Sequence, residues 1–449
     1  MTRPLTLVLL AALLAALGAA EARAQVRRPN LLLVVTDDQR FDQMSCAGHP
    51  TLETPVMDRL AAQGVRFTNA FVTTAICAAS RASILTGRRE GNHGYTFGKP
   101  PMGSDLGQTS YPKLLRDAGY RTGFVGKWGV KFAKGALEGA FDVRKGSGHP
   151  YRKKDGRHLT DIVTQQAVTF LQQQDPAQPF CLSVSFHAPH AQDGHEDQYL
   201  PPDAFRERYA DADVPIPPIA ESGFAALPPF LKESLGRVRW YWRFDTRAKQ
   251  VRRTKDYWRM IDGVDRGLGR ILDALARRGL ADDTVVVFTS DNGYFLGERG
   301  LAGKWLIYEE SVRVPLIVYD PRAGEDRRGV TEERMALNTD LAPTLLAYAG
   351  LAAPAGYDGR SLTPLVRGEQ PAWRDAFLYE HHMDHAKIPP SVGLRGARWV
   401  YARYYRQEPA YEQLFDLQRD PLQLVNLARD PAHTATLAAQ RARCDALLR

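Results

Sequence analysis

The sequence is poor in cysteine and contains a single long apolar run. Its four cysteines, Cys46, Cys77, Cys181 and Cys444, are too few for a disulfide-dense scaffold and lack the CxxC spacing that is typical of zinc sites. The chain also has no internal repeat and no low-complexity tract, so neither a repeat protein nor a disordered one is predicted. Because 44% of its 449 residues are hydrophobic, it can bury a large core.

The apolar run belongs to an N-terminal leader. It lies between a short basic start and the small-x-small pattern Ala22-Arg23-Ala24. This order is typical of a signal peptide over residues 1–24, and we expect cleavage after Ala24 and export to the periplasm or the medium. An uncleaved membrane anchor is the alternative, because the run is of marginal length for a span. After cleavage, no stable membrane span is expected.

Strand patterns alternate with helix patterns along the chain. The apolar run NLLLVVT is followed by TPVMDRLAAQG, a helix pattern with an N-cap at Thr54 and a stop at Gly64. The same order recurs in YPKLLRDAG and YRTGFVGK, in LTDIVTQQAVTFLQQQ and FCLSVSFHAPH, and in RGLGRILDALARRGL and DTVVVFTSDNG. Such alternation predicts an α/β fold with a large, mostly parallel sheet sandwiched by helices.

The C-terminal part changes character at about residue 372. The segments GARWVYARYY and YEQLFDLQRDP alternate aromatic and polar residues, which predicts a smaller antiparallel sheet. We therefore expect an N-terminal domain over residues 25–371 and a C-terminal subdomain over 372–449. The proline-rich segment VPIPPIAESGFAALPPF is predicted to be a surface connection that borders the ligand site.

Polar side chains follow several of the predicted strands. They are Asp37, Asp38, Lys127, His187, His190, Asp291 and Asn292. Ligands of such sheets bind at the carboxyl ends of the strands, so we expect these groups to converge. The acids and the amide are hard oxygen donors, the set that calcium or magnesium prefers. The ordinary alternative is a loop acid pair and an unrelated DNG turn.

The segment ICAASRASILTGR places a cysteine at the start of a helix pattern. The residues from Ala78 to Leu85 favour a helix, and Gly87 is a plausible stop. Arg81 is four residues after Cys77 and therefore on the same face, so this cation and the helix dipole both favour negative charge beside Cys77. The ordinary alternative is a buried cysteine with a solvated arginine.

This segment resembles the signature of type I, formylglycine-dependent sulfatases of the alkaline-phosphatase-like superfamily. The matching residues are Cys77-Ala78-Ala79-Ser80-Arg81 and Leu85-Thr86-Gly87-Arg88, with alanine at position 79 where proline is more usual. The resemblance extends from Asn30 to about Leu427 and implies a sulfatase with an alkaline-phosphatase-like fold. It also implies that a formylglycine-generating maturation enzyme oxidises Cys77 to an aldehyde, whose hydrate supplies the nucleophilic oxygen.

The resemblance further implies a role for each converging group. The implied ligands of one divalent cation, usually Ca²⁺, are the residue at position 77 and the oxygen donors Asp37, Asp38, Asp291 and Asn292. The implied sulfate-binding residues are Arg81, Lys127 and Lys304. His190 is the implied general acid, with His187 as its neighbour or substitute.

One position departs from the family pattern. Many sulfatases carry a histidine after the lysine-tryptophan pair, where it is thought to help release sulfate, and this chain has Gly129. We expect either His93 or His187 to take that role, or turnover to be impaired.

The basic charge and two further segments indicate the substrate. A formal net charge of +8 favours an anionic ligand. HHMDHAKIPPSVGLRGARW, with His382 and Arg395, and RVRWYWRFDTRAKQVRRTKDYW are expected walls of a pocket for a sulfated sugar, or else solvated basic faces. The leader argues against nucleic acid as a partner. The alternatives are a phosphate or phosphonate ester hydrolase of the same superfamily and a non-catalytic binder of sulfated glycans.

Overall fold

A computed structural model describes residues 28–217 and 219–449. The predicted signal peptide and its cleavage site at Ala24 lie outside the described residues. Across the described ranges, no helix is both long enough and apolar enough to cross a membrane.

The centre of the fold is an eight-stranded sheet. In spatial order its strands are β11 (Val330–Glu332), β2 (Val65–Phe67), β10 (Leu316–Tyr319), β7 (Thr284–Ser290), β1 (Asn30–Asp37), β6 (Phe180–Pro189), β4 (Arg121–Gly126) and β5 (Val143–Gly146). The strands β7, β1, β6, β4 and β5 are parallel, and β10 runs antiparallel to both of its neighbours. The prediction of a large, mostly parallel sheet is confirmed.

Helices cover both faces of this sheet. The α-helices of the described residues are α1 (Pro55–Gln63), α2 (Cys77–Thr86), α3 (Glu90–His93), α4 (Ser104–Gln108), α5 (Tyr111–Asp117), α6 (Leu159–Gln172), α7 (Ala220–Ala226), α8 (Pro229–Lys232), α9 (Leu235–Arg243), α10 (Arg247–Arg277), α11 (Glu309–Val312), α12 (Leu341–Tyr348), α13 (Thr363–Val366) and α14 (Thr434–Leu448). On β1, Leu31 and Leu33 pack into one core, and Leu32 and Val34 pack into the other. Both faces are therefore buried, which explains the uninterrupted apolar run.

The C-terminal sheet is an antiparallel meander, as predicted. Its strands are β13 (Ala376–His381), β14 (Ser391–Gly396), β15 (Trp399–Tyr404) and β16 (Tyr411–Asp416). On one side Cys444 of α14 packs against it, and on the other side Phe377 and Tyr379 join the core of the main sheet. The two sheets share this continuous core, which does not mark a division between residues 371 and 372. The boundary there therefore stays a prediction.

Two short ribbons complete the fold. They pair β3 (Ala70–Phe71) with β12 (Ala336–Leu337), and β8 (Phe295–Leu296) with β9 (Ala302–Gly303).

Two local expectations differ from the structure. Thr54 precedes α1 but does not cap it, because its hydroxyl binds Asp58 and the backbone of Ser45 instead. The proline-rich segment is not a wholly irregular connection, since it contains α7 and the start of α8. Pro229 occupies the first turn of α8, where its fixed backbone angle and missing N–H are tolerated.

Candidate active site

The predicted strand ends meet at one point beside the centre of the sheet. The backbone N–H of Asp291, after β7, donates to the carbonyl of Thr36 in β1 at 3.0 Å. Asp38 has a left-handed backbone with φ of +67°, so the chain turns sharply and does not continue the strand. Two adjacent acids can then reach the same point, whereas on a straight strand they would face opposite sides.

Three buried carboxylates are paired with three cations in this cluster. Lys127 binds Asp37, and Lys304 binds Asp38. The remaining pair joins Arg81 Nε to Asp291 Oδ2 at 2.7 Å. These carboxylates come from two strands, and the cations come from a helix and two loops. The predicted convergence is therefore present in the structure.

Oxygen atoms in the cluster are left for a cation. Within the described chain, Asp37 Oδ1, Asp38 Oδ2 and Asn292 Oδ1 are buried and have no hydrogen-bond partner. One ligand atom from each of Asp37, Asp38 and His190 lies within 4.8 Å of the others. Unpaired buried oxygens are costly, and a hard divalent cation would satisfy them. The donor set fits Ca²⁺ or Mg²⁺.

Burial and neighbouring charges shift the carboxylates in opposite directions. Burial raises the pKa of Asp37, but Lys127 and the other cations outweigh it and hold the pKa well below its usual value. Burial and the charge of Asp37 raise the pKa of Asp291 to about 6 despite Arg81. A cation bound beside Asp291 would favour its ionised form.

Cys77 is the first residue of α2, as predicted, and this helix ends at Gly87 with φ of +64°. Burial lowers the pKa of Lys304, but Asp38 and then Cys77 raise it above its usual value. Cys77 acts in the same direction on Arg81 and Lys127. Position 77 therefore lies where three cations and a helix N-terminus favour negative charge.

Arg81 is not a solvated surface arginine. Besides Asp291, its guanidinium donates to the Lys127 carbonyl at 3.0 Å and to the hydroxyl of Ser185. Its Nη2 is buried and has no partner among the described residues. The ordinary interpretation of this arginine is therefore wrong, and one donor remains for a ligand.

His190 follows β6 and faces the carboxylates. Its Nδ1 bonds to the Ala191 carbonyl, which only accepts, so Nδ1 carries the proton of the neutral ring. Its Nε2 lies 3.6 Å from Asp38 Oδ2. Burial lowers the pKa of His190 to about 4. A role as an acid would therefore require the imidazolium form, which burial disfavours and the charges of Asp37 and Asp38 favour.

His187 lies beside His190 as a buried, neutral ring. Burial, reinforced by Lys127, holds its pKa well below the usual value. Sequence reasoning missed a third ring here, since His149 lies 5.5 Å from His187 and 6.1 Å from His190 between ring centres.

The structure does not bring Arg395 or His382 into the cluster. The guanidinium of Arg395 binds Glu309 at 3.0 Å and lies over the Phe71 ring. It lines a separate cavity of about 450 Å³. His382 contacts Glu380 at 3.5 Å and the Tyr405 hydroxyl at 3.0 Å. The sequence around Arg395 and His382 does not indicate which face of the C-terminal sheet their side chains occupy.

Two further groups at the site were not predicted. Ser185 binds Arg81, and Asp193 is close enough to His190 for that histidine to help lower the pKa of its carboxyl. Ser185 had a signal in the sequence, because Ser183, Ser185 and His187 alternate on an otherwise apolar strand and so share one face. Asp193 lies in a loop and had none.

His93 does not replace the histidine that is missing at position 129. Its Nδ1 accepts from the Tyr95 N–H at 3.0 Å, and its Nε2 contacts the Ser83 hydroxyl at 3.2 Å. Both ring nitrogens are therefore in use. Burial also lowers the pKa of His93 to about 4.

Gly129 is required by its surroundings. It has φ of +70°, and a Cβ there would lie 2.9 Å from Arg81 Cδ.

We expect Gly129→His to lower kcat/KM on an aryl sulfate, because Arg81 has to move. Gly94, with φ of +65° and open space around it, provides the control. Gly94→Ala should lower the free energy of unfolding in urea by about 1–2 kcal/mol, the cost of a left-handed backbone at a residue with a Cβ. Gly129→Ala should lower it by more. A Gly129→His enzyme faster than the wild type would contradict this.

The comparisons with known proteins agree with this geometry. Residues 29–351 match the sulfatase family, and residues 297–447 match the C-terminal region of N-sulphoglucosamine sulphohydrolase. The chain is 30% identical to N-acetylglucosamine-6-O-sulfatase of Bacteroides thetaiotaomicron, over 94% of this chain and 87% of that protein.

Solved structures share the whole fold. One is the structure of a protein in complex with its substrate, D-glucosamine-2-N,6-O-disulfate. It matches with a TM-score of 0.81 and 27% identity, over 94% of this chain and 97% of that one. Another is phosphonate monoester hydrolase of Agrobacterium radiobacter, with a TM-score of 0.79, 25% identity and coverage of 94% and 95%.

The fold and the matches place the chain in the alkaline-phosphatase-like superfamily of hydrolases, and three cation–carboxylate pairs form its buried cluster. Within that superfamily the chain belongs to the sulfatase family. It is a hydrolase that acts on sulfate esters.

Proposed function

We propose that this protein is an exported sulfatase that removes a sulfate ester from a carbohydrate, with formylglycine derived from Cys77 and one bound Ca²⁺. The observation that carries the proposal is the position of Cys77 at a helix N-terminus, close enough to Arg81, Lys127 and Lys304 to act on their charges. The same three cations pair with the carboxylates of the cluster, which has three unpaired buried oxygens. The similarity to a sulfatase of N-acetylglucosamine and to a disulfated-glucosamine complex supports a sugar substrate.

The cation would be held by oxygen donors of the two strand ends. They are Asp37, Asp38, Asp291 and Asn292. When bound, a divalent cation lowers the pKa of a nearby hydroxyl and neutralises charge on sulfate oxygens. The hydrate of formylglycine at position 77, once formed, would supply the attacking oxygen.

Three cationic residues position the sulfate group. Arg81 offers its unpaired Nη2, and each ammonium of Lys127 and Lys304 has three N–H donors, more than its recorded carboxylate contacts use. These donors are fixed by ion pairs before the substrate arrives. Preorganised donors of this kind stabilise charge that develops on the sulfate oxygens as the ester bond breaks.

His190 is the proposed general acid, because it lies beside Asp38 at the edge of the cluster. His190→Ala should lower kcat/KM on a sugar sulfate by about 10²–10⁴-fold. It should lower kcat/KM on para-nitrophenyl sulfate much less, because that leaving group departs without a proton. His433→Ala changes a histidine of the C-terminal region that binds Asp430, and it should alter neither rate. Equal losses on both substrates would contradict the assignment.

Release of inorganic sulfate tests the reaction class. The purified mature protein is incubated with N-acetylglucosamine-6-O-sulfate, and matched aryl sulfate and aryl phosphonate esters are compared. We expect sulfate release from the sugar and a higher kcat/KM for the aryl sulfate. A higher kcat/KM for the phosphonate would support the alternative that the phosphonate monoester hydrolase suggests.

Export and maturation complete the proposal. The leader over residues 1–24 directs the chain to the periplasm or the medium, and a formylglycine-generating enzyme is the required partner. Residues 25–371 form the catalytic domain, and residues 372–449 form the C-terminal subdomain.

A further inference from the structure

Helix α9 contacts the loop that follows the proposed general acid, His190. Its residues Arg239 and Arg243 are four apart on one face, and both form ion pairs with Asp193. Burial raises the pKa of Asp193, but Arg243, Arg239 and His190 lower it below its usual value. Asp193 therefore connects α9 electrostatically to His190, the side of the cluster on which the leaving alcohol has to lie.

Only one of the two arginines is needed to neutralise Asp193. Arg243 is fully buried, and its guanidinium also donates to Gln198 at 2.9 Å and to the Tyr294 hydroxyl at 2.6 Å. Arg239 binds Asp193 through Nη2, while its Nε is buried and has no hydrogen-bond partner in the part of the chain that the structure describes. The Asp193 cluster therefore carries one surplus positive charge and an unused donor.

Trp305 packs against the Arg239 guanidinium. It directly follows Lys304, and the Arg239 guanidinium lies 4.9 Å from its ring centre. Trp305 has a left-handed φ of +80°, costly for an aromatic residue. Its backbone is fixed by bonds to the Ala75 carbonyl at 3.1 Å and from the Tyr379 hydroxyl at 2.8 Å. Strain held in this way is typical of functional positions.

We propose that Arg239 binds a second anionic group of the substrate, a sulfate or carboxylate on the same sugar that carries the scissile ester. Asp193 and Trp305 are positioning residues that orient the guanidinium. This inference rests on the proposed function, because it assumes a sulfated sugar at the cluster. This contact with Arg239 would favour substrates with two negative charges over substrates with one.

The test compares two sugars that differ at one substituent. They are glucosamine-2-N,6-O-disulfate and N-acetylglucosamine-6-O-sulfate, which share the sulfate at the sixth position. The wild type should prefer the disulfate in kcat/KM. Arg239→Gln should reduce that preference by about 10- to 100-fold, the range expected for a charge-assisted hydrogen bond. Arg239→Lys should keep part of it, and Trp305→Phe should reduce it less than Arg239→Gln.

Arg237 on the same helix is the matched control. Its guanidinium stacks on Trp240 at 3.9 Å and donates to the Gly300 carbonyl at 3.1 Å, away from Asp193. Arg237→Gln should leave the preference unchanged. A wild type without preference, or an Arg239→Gln loss that is equal on both sugars, would overturn the inference and leave the sulfatase proposal intact. Turnover of an aryl sulfate without turnover of either sugar would overturn the sugar substrate and this inference together.

Discussion

Replacing Cys77 by alanine is expected to lower kcat on an aryl sulfate by about four orders of magnitude or more, the effect of removing a nucleophile. The substitution itself is small, because alanine fits in the space that cysteine occupies. Helix α2 should therefore keep its N-terminal geometry. We therefore expect a folded protein with an unchanged thermal unfolding midpoint. Turnover and unfolding are measured on the same preparation.

Cys46 provides the control for that experiment. Burial and then Asp58 raise the pKa of this thiol to about 12, so it stays protonated and unreactive. Cys46→Ala should retain full turnover. If Cys77→Ala kept the wild-type rate, residue 77 would not be the nucleophile. An equal loss in Cys46→Ala would indicate a general effect of cysteine replacement.

Neutralising Asp38 is expected to have the next largest effect. Asn at position 38 tolerates the left-handed backbone that Asp38 adopts, so the fold should persist. The cluster would lose the carboxylate that binds Lys304 and that we propose as a ligand of the cation. We expect turnover to fall by about 10³-fold, in the range of losing a charge-stabilising group, and calcium no longer to raise the unfolding temperature.

Calcium stabilisation is a readout that does not depend on turnover. A cation at about 100 times its Kd stabilises the wild type by about 3 kcal/mol. Chelation should remove that increment together with activity, and added calcium should restore both. Asp161→Asn, which changes a surface carboxylate paired with Arg266 and Arg270, should respond to calcium like the wild type. An Asp38→Asn protein with full calcium stabilisation would exclude Asp38 as a ligand.

The part of the site that lies at strand ends could be predicted from the sequence. Parallel strands end at the same edge of a sheet, so Asp37, Lys127, His187 and Asp291 had to converge once their strands were recognised. The helix that carries Cys77 was equally predictable, because its residues and its terminal glycine agree with its conformation. Local pattern and global fold point the same way at these positions.

The groups that loops and distant helices bring to the site could not be predicted. Asp193 lies in a loop and is held by two arginines of α9, near enough to His190 for their charges to interact. The pairing of Arg395 with Glu309 was likewise not predictable, because the two residues are far apart in sequence. The sequence does not indicate which residue a charged side chain will contact when the two are far apart along the chain.

The mass of the tryptic peptide that ends at Arg81 is the most direct test of the account. It should be measured on protein exported by a host that is shown to modify other sulfatases, together with turnover of an aryl sulfate. We expect formylglycine at position 77 and calcium-dependent turnover in the same sample. An unmodified cysteine in protein that turns over the ester at full rate would contradict it.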